Sequence, residues 1–403
     1  MATESSSSCQ EPETTSQTHL PTEDSLLLPD LLPELIVEIL SRLPVKSLLR
    51  FRCVSKSWRS LISRPEFAKT HLSLASMGTD YTHHHRLILS YPYPHTDVKS
   101  CSLYSILNEQ CDTAVDLDFP SKVSNHRGTI VGCCDGLVCV ASDREVFIWN
   151  PSTRKSKRLP DVEIPSPYHY IAMHGFGYDE SIDDYKVAVF SCDANNYNRG
   201  FEAEGKVYSL RTNSWRRIGG FPRCLHMDVS GTYLNRALHW IVSRESDAII
   251  ISLDLAEETY GEVLLPDYGD GHLCRSFLDV LNGCLRIVCA YHEYVDVWVL
   301  KEYGIRESWT KLVVIPRAIP RATHPLGRHY PTPVCILKND EVLVNVYTHL
   351  VRYNPKDGTS IHLLIRNCSE QFIVYPYIES LVSPDIDVDS GIQWQHQYSR
   401  EQR

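Results

Sequence analysis

The amino-acid sequence predicts a mainly β protein: a small N-terminal three-helix module followed by a β-propeller of about six blades. Three observations carry that expectation. The stretch Leu28 to Ile62, LPDLLPELIVEILSRLPVKSLLRFRCVSKSWRSLI, holds three short apolar runs at helical spacing. From about Arg86 to Val382 the texture changes to brief runs of β-formers punctuated by Gly, Asp, Asn and Pro. Within that long region one outline recurs: a turn, an apolar strand, a second turn, a strand ending in an aromatic, then a polar turn and a short strand.

The helices come first. Leu31, Leu32, Leu35, Ile36, Ile39, Leu40 and Leu43 recur at three- and four-residue steps and so share one wide helical stripe. Pro33 suits an early helical position, Asp30 can cap it, and Pro44 ends the run. Ser47 is expected to cap a second helix with Leu48, Leu49, Phe51 and Val54. Ser55 is expected to cap a third with Trp58, Leu61 and Ile62, closed before Pro65. Phe67 and Leu72 fit a last helical turn packed back on the module. Helices this short are marginal alone, since nucleation is costly and few hydrogen bonds follow it. Three of them bury a small core, which leaves apolar surface for a partner. The plain alternative is a helical cap folded onto the rest of its own chain.

The order LLPELIVEILSRLPVKSLLRFRCVSKSWRSLI resembles the F-box, the motif through which a family of proteins docks on a Skp-type adaptor. The likeness runs through Leu35, Glu38, Ile39, Leu40, Leu43, Pro44, Leu48, Arg52, Val54, Lys56 and Trp58. One departure is visible: the family opens with Leu-Pro at the position of Leu31-Leu32, and here the proline falls one residue later, at Pro33. The resemblance implies adaptor binding by Leu31, Leu35, Ile39, Leu43, Pro44, Leu48, Val54 and Trp58, divided between a small core and the adaptor-facing surface.

The strands follow. GLVCVASDREVFIWNPSTRKSKRLP (Gly136–Pro160) shows the repeat most clearly, with Asp143-Arg144 between two strand-like runs and Asn150-Pro151 starting a turn. Partial or fuller copies occur at Lys206–Ile218, at Thr232–Pro266, in the stretch ending at Ile315, and from Val334. Imperfect repeats of roughly 40–60 residues with about four strands each indicate a propeller. Paired β-sandwiches are the rival, but their strands do not recur with one turn chemistry and a terminal aromatic. Arg86–Leu107 reads as a degenerate first blade, completed by the late strand Tyr377–Val382, which would close the ring. GCCDGLVCV, FIWNPSTRKSKRLP, GFGYDESIDDYKVAVF and VYSLRTNSWRRI also resemble the F-box-associated interaction domain of plant F-box proteins, a kelch-like propeller. That likeness spans Thr129 to about Val382. It is nearest to the defence-regulating members, with self-incompatibility F-box proteins as near relatives.

The expected organisation is therefore an arm without structure (1–26), an F-box (27–74), a propeller (86–382) and a polar tail (384–403). A net charge of −10 over 403 residues argues against a general nucleic-acid binder. The basic run at 154–158 is expected to be a solvated turn between strands. No stretch approaches the ~18 apolar residues of a membrane span. The N-terminal segment lacks a basic start and an apolar h-region, so the expected location is cytoplasm and/or nucleus. The 14 cysteines then lie in a reducing compartment. They form no CxxC pair, and Cys139 reads as one face of a buried strand, not as a zinc ligand.

No constellation for catalysis stands out. Gly175 and Gly177 read as a positive-φ turn, Asp179, Glu180, Asp183 and Asp184 as a solvated hairpin turn, and His83, His84 and His85 as an exposed loop. The tryptophans at 149, 215, 240, 298 and 309 are expected at strand ends in the core and between blades. We thus expect no catalytic residue, cofactor or metal. The leading expectation is a substrate receptor of a Skp–cullin–F-box ubiquitin ligase, its helices on the adaptor and its propeller on an unknown target protein, with neither membrane nor nucleic acid as partner. The alternative is a propeller enzyme or small-ligand binder with a helical cap.

Overall fold

The computed structural model describes residues 32–77, 83–91, 97–120, 128–142, 145–163, 169–193, 201–224, 226–227, 230–244, 247–268, 275–317, 330–337, 339–346, 348–368 and 371–385. The expected arm, Leu31, the Asp143-Arg144 turn and nearly all of the polar tail lie outside them. Two compact units divide the chain, Met1–Leu40 and Ser41–Arg403. The described part of the first is helix α1, Pro33–Leu40, with the proline at its first helical position and Glu34 in the first turn.

The second unit opens with helices α2 (Val45–Phe51), α3 (Lys56–Ile62) and α4 (Pro65–Met77). Ser55 caps α3 as expected, its hydroxyl accepting from the Trp58 N–H at 3.1 Å. Ser47 does not cap α2. That helix starts two residues earlier, after an extended Pro44 that needs no donor and makes no side-chain cap. The expected last turn around Phe67 is a full 13-residue helix, and its Leu72 packs on the apolar cluster between two blades. His71, fully buried on α4, donates from Nε2 to the Leu43 carbonyl at 2.9 Å and so ties α4 to the turn before α2.

Blades of four antiparallel strands follow, the sixth extended by a fifth, parallel strand, Cys111–Thr113. Blade two is the plainest: Thr129–Cys134, Leu137–Ala141, Val146–Asn150 and Lys155–Arg158, paired in chain order. Blades three (from His169–Asp179 to Ser214–Cys224) and four (from Ser230–Leu234 to Tyr260–Val263) are joined into one sheet by a short parallel contact between their first strands. Blade five runs from Arg275–Leu281 to Trp309–Pro316, and blade six from Thr332–Ile336 to Ser360–Arg366. Blade one is assembled from both ends of the unit: Ile373–Ile378 pairs with His85–Tyr91, which pairs with Asp97–Ser102 and then Val115–Asp116. The late strand does complete the first blade, four residues earlier than Tyr377–Val382. The first-blade reading also needs correction after Ser102, where Leu103–Asn108 forms a short helix instead of strand. Asp112 holds the entry to that helix, its carboxylate accepting from the Ser102 N–H.

Six apolar clusters lie between successive blades, one at each interface around the ring. Alternate residues of one strand serve two of them: Val138 and Val140 face blade one, while Leu137, Cys139 and Ala141 face blade three. Burial on both sides is why the apolar runs read as continuous. Trp149 and Trp240 fill such interfaces, Trp240 from mid-strand and not from a strand end. Gly175 and Gly177 sit inside the strand His169–Asp179, not in a turn. A Cβ at Gly175 would lie 2.6 Å from Leu238 and 2.9 Å from Trp240, so glycine there admits blade four. Positive-φ turn residues instead include Asp135-Gly136, Asp183, Asn235-Arg236, Asn282-Gly283 and Asp340, each between the first two strands of a blade.

Candidate docking surface on the N-terminal helices

On α1 the stripe read from the sequence is only partly covered. Leu40 is buried, whereas Leu35 and Ile39 are 48% and 52% exposed, with Leu32 beside the helix more open still. Sequence reasoning left Leu32 out of the docking set, although its place three residues before Leu35 puts it on the same stripe. Half-exposed leucine and isoleucine on an eight-residue helix is surface that water covers at a cost. Placing each side chain in an apolar partner contributes ~1.5–3 kcal/mol at full burial.

The turn before α2 and the corner between α2 and α3 carry a second set. In the first, Pro44 is exposed and Leu43 half-buried. In the second, Val54 is 63% exposed, while Trp58 on α3 is half-buried, its indole meeting Phe51 edge to face at 5.5 Å. Leu48 is different. It is fully buried, so it serves the interior and is no part of a partner-facing surface, because its place on the inner side of α2 leaves nothing to touch. The sequence pattern cannot separate these fates, since both faces of so short a helix are apolar.

Around the same corner the charges are basic. Arg52 donates from Nη2 to the Ile62 carbonyl at 3.3 Å, and burial together with the nearby Arg59 guanidinium holds it below its ordinary value. The expected solvated turn at 154–158 is a turn only at Arg154, and Lys155–Arg158 is the outer strand of blade two.

The remaining motifs resolve into structure. Asp179 and Asp184, expected in a solvated turn, are buried. Lys186 donates to Asp179 and to the Leu255 carbonyl, both at 2.6 Å, and Asp184 accepts from Ser209 and from the Arg211 N–H. The turn itself is solvated as expected, with Glu180 and Asp183 exposed, and only the two strand-end carboxylates that flank it are taken inside. His84 and His85 are half-buried, His85 opening the first strand of blade one, so only His83 fits the exposed-loop reading. Among the described residues, no group of three or more His, Cys, Asp or Glu is placed to hold a metal ion, and no helix is long and apolar enough to cross a membrane.

Comparison with known proteins places these two regions. The F-box domain profile matches residues 28–70, and the profile described as the F-box associated beta propeller domain matches residues 94–383. An F-box/kelch-repeat protein of Arabidopsis thaliana is 32% identical over 87% of this chain and 95% of its own length. The F-box protein CPR1 of the same plant is 30% identical over 87% of this chain and 88% of its own.

Proposed function

Because the chain belongs to the F-box proteins that carry an F-box-associated β-propeller, we propose that it is the substrate-recognition subunit of a Skp–cullin–F-box ubiquitin ligase. In this reading the helices dock on the Skp-type adaptor and, through it, reach the cullin, in cytoplasm or nucleus. The propeller holds a target protein. The chain performs no bond chemistry; it supplies proximity, raising the effective concentration of target lysines near ubiquitin carried by another subunit. The observation that carries the reading is the exposed pair Leu35 and Ile39 inside the F-box match. The six blade interfaces, by contrast, are filled by their own side chains.

Affinity capture tests it, with proteasome activity blocked. The intact chain is expected to retain adaptor, cullin and target, while a variant beginning at Pro65 keeps the target alone. That start preserves α4, whose Leu72 and His71 belong to the fold. The double variant Leu35→Asp, Ile39→Asp should lose the adaptor at unchanged melting temperature, since both sites are open. Full-strength adaptor binding by that variant would sink the proposal.

A further inference from the structure

We infer that the docking surface continues off the helices onto blade two through Lys155, and that the part of the adaptor seated there is an acidic segment. The inference rests on the ligase-receptor reading and names a feature of the partner that the reading leaves open. A cleft of about 790 Å³ runs between the α2–α3 corner and the outer strand of blade two, with Arg52, Val54, Lys56, Arg59 and Lys155 in its walls. Among the described residues, no carboxylate lines it. Among the described residues, the charged groups of Lys56, Arg59 and Lys155 have no hydrogen-bond or ion-pair partner, and the Nε of Arg52 is buried without one.

The neighbours of Lys155 make the contrast sharp. Arg154 is paired with Asp118, and Arg158 with both Glu145 and Asp161. A chain of net charge −10 has carboxylates in plenty, yet this cleft gathers four cations without any. Like charges held together repel, and a concave wall of one sign concentrates counter-charge and steers an oppositely charged partner into place. Val54, 63% exposed in the same wall, adds an apolar contact that a small inorganic anion cannot use. A polypeptide bearing both carboxylates and apolar side chains uses the whole cleft. Continuity decides which one: Arg52, Val54, Lys56 and Arg59 lie within the F-box match, so the molecule that covers Val54 also reaches the cations. Lys155 lies outside that match, within the propeller.

The test uses the full chain and purified Skp-type adaptor, with affinity measured by titration across a range of sodium chloride concentrations. Lys155→Glu is expected to weaken binding about tenfold and flatten its salt dependence, and Lys155→Arg to retain both. Arg59→Glu should act in the same direction. Lys155 is exposed on an outer strand, so an unchanged melting temperature will verify that the fold is kept. Wild-type affinity in Lys155→Glu overturns the extension onto blade two while leaving the receptor reading intact. Selective competition by sodium phosphate at matched ionic strength overturns the acidic segment in favour of a small-anion site. A wild-type chain that binds no adaptor at all overturns the receptor reading, and this inference with it.

Discussion

An apolar residue in a blade and one in the N-terminal helices meet opposite fates, although the sequence writes them alike. Val138 and Val140 are fully buried, as are Leu137 and Cys139 on the other side of the same strand. Leu35 and Ile39 on α1 stay half in water. The difference comes from how many neighbours each element has. A strand in a ring of blades is flanked within its sheet and covered on both faces by the next blades. A helix of eight residues offers one stripe, and whatever it does not meet remains open. The interfaces between blades are thus closed by their own side chains, whereas α1 keeps part of its apolar stripe open.

The largest expected effect comes from opening that ring. The inner strand of blade one, Ile373–Ile378, arrives from the far end of the unit, and the segment after it is anchored by one buried side chain. Asn150 donates to the Ser380 and Val382 carbonyls at 3.1 and 2.7 Å, and accepts from the Ser152 and Thr153 N–H groups within its own turn. Ending the chain before Ile373 removes the strand and leaves Asn150 without those acceptors. Cooperative unfolding of the whole propeller is expected to disappear, as followed by near-ultraviolet circular dichroism during heating. Asn150→Ala alone should cost about 2–4 kcal/mol, because it orphans several buried groups at once. A truncated chain that melts as sharply as the intact one means that blade one is not what holds the ring.

A smaller effect concerns protons, and it sharpens the comparison because it falls on the covered side. Burial pushes His174 and His239 down to about 4; among the described residues both ring nitrogens of His174 lack a partner, while His239 is held by Thr232 and Tyr303. In the unfolded chain each titrates near 6.5. Their folded-state values are depressed, so the unfolded state binds more protons between those limits. Stability is therefore complete above about pH 6.5 and is lost as pH falls toward 4. The loss is on the order of 2–3 kcal/mol for each residue. His71 and His84, lowered mainly by burial, act with the same sign at the seat of α4. Urea midpoints measured from pH 7 to pH 4.5 should fall steadily, and His174→Gln should shrink the decline. A flat profile would show that these rings are not held neutral.

How much of this was legible follows from the same count of neighbours. The repeated turn chemistry announced the blades, because Asn150-Pro151 does locally what the sequence says it does. The sequence also placed a closing strand near the end, since an open ring leaves an edge. It could not place the strand to the residue, because Ile373–Ile378 and Tyr377–Val382 are equally good β-formers and only pairing with His85–Tyr91 chooses between them. Gly175, Asp179 and Asp184 were misread for a related reason. Their surroundings come from blade four or from distant strands, and no local pattern carries that information. The docking residues were legible as a set through the motif. Leu48 separates from Leu35 only when packing decides which side of each helix is covered.

The smallest expected effect asks what holds α4 on the blades. Two contacts are visible there: Leu72 against the cluster between blades two and three, and the Lys69 ammonium on the Asp183 carboxylate at the blade-three turn. Both charged groups are more than half exposed, so their attraction is weakened by water and salt and opposed by the entropy of fixing a lysine. Lys69→Ala should therefore change stability by no more than about 0.5 kcal/mol. Leu72→Ala removes apolar contact from a half-buried site and should cost about 1–2 kcal/mol. Hydrogen exchange of the α4 amides reads the two variants directly, since loosening the seat opens this helix before the blades. Exchange is expected to quicken with Leu72→Ala and to stay near the wild-type rate with Lys69→Ala, also at low salt. If Lys69→Ala proves the more disruptive of the two, the seat is ionic, and α4 is joined to the propeller by charge and not by the packing that closes the blades.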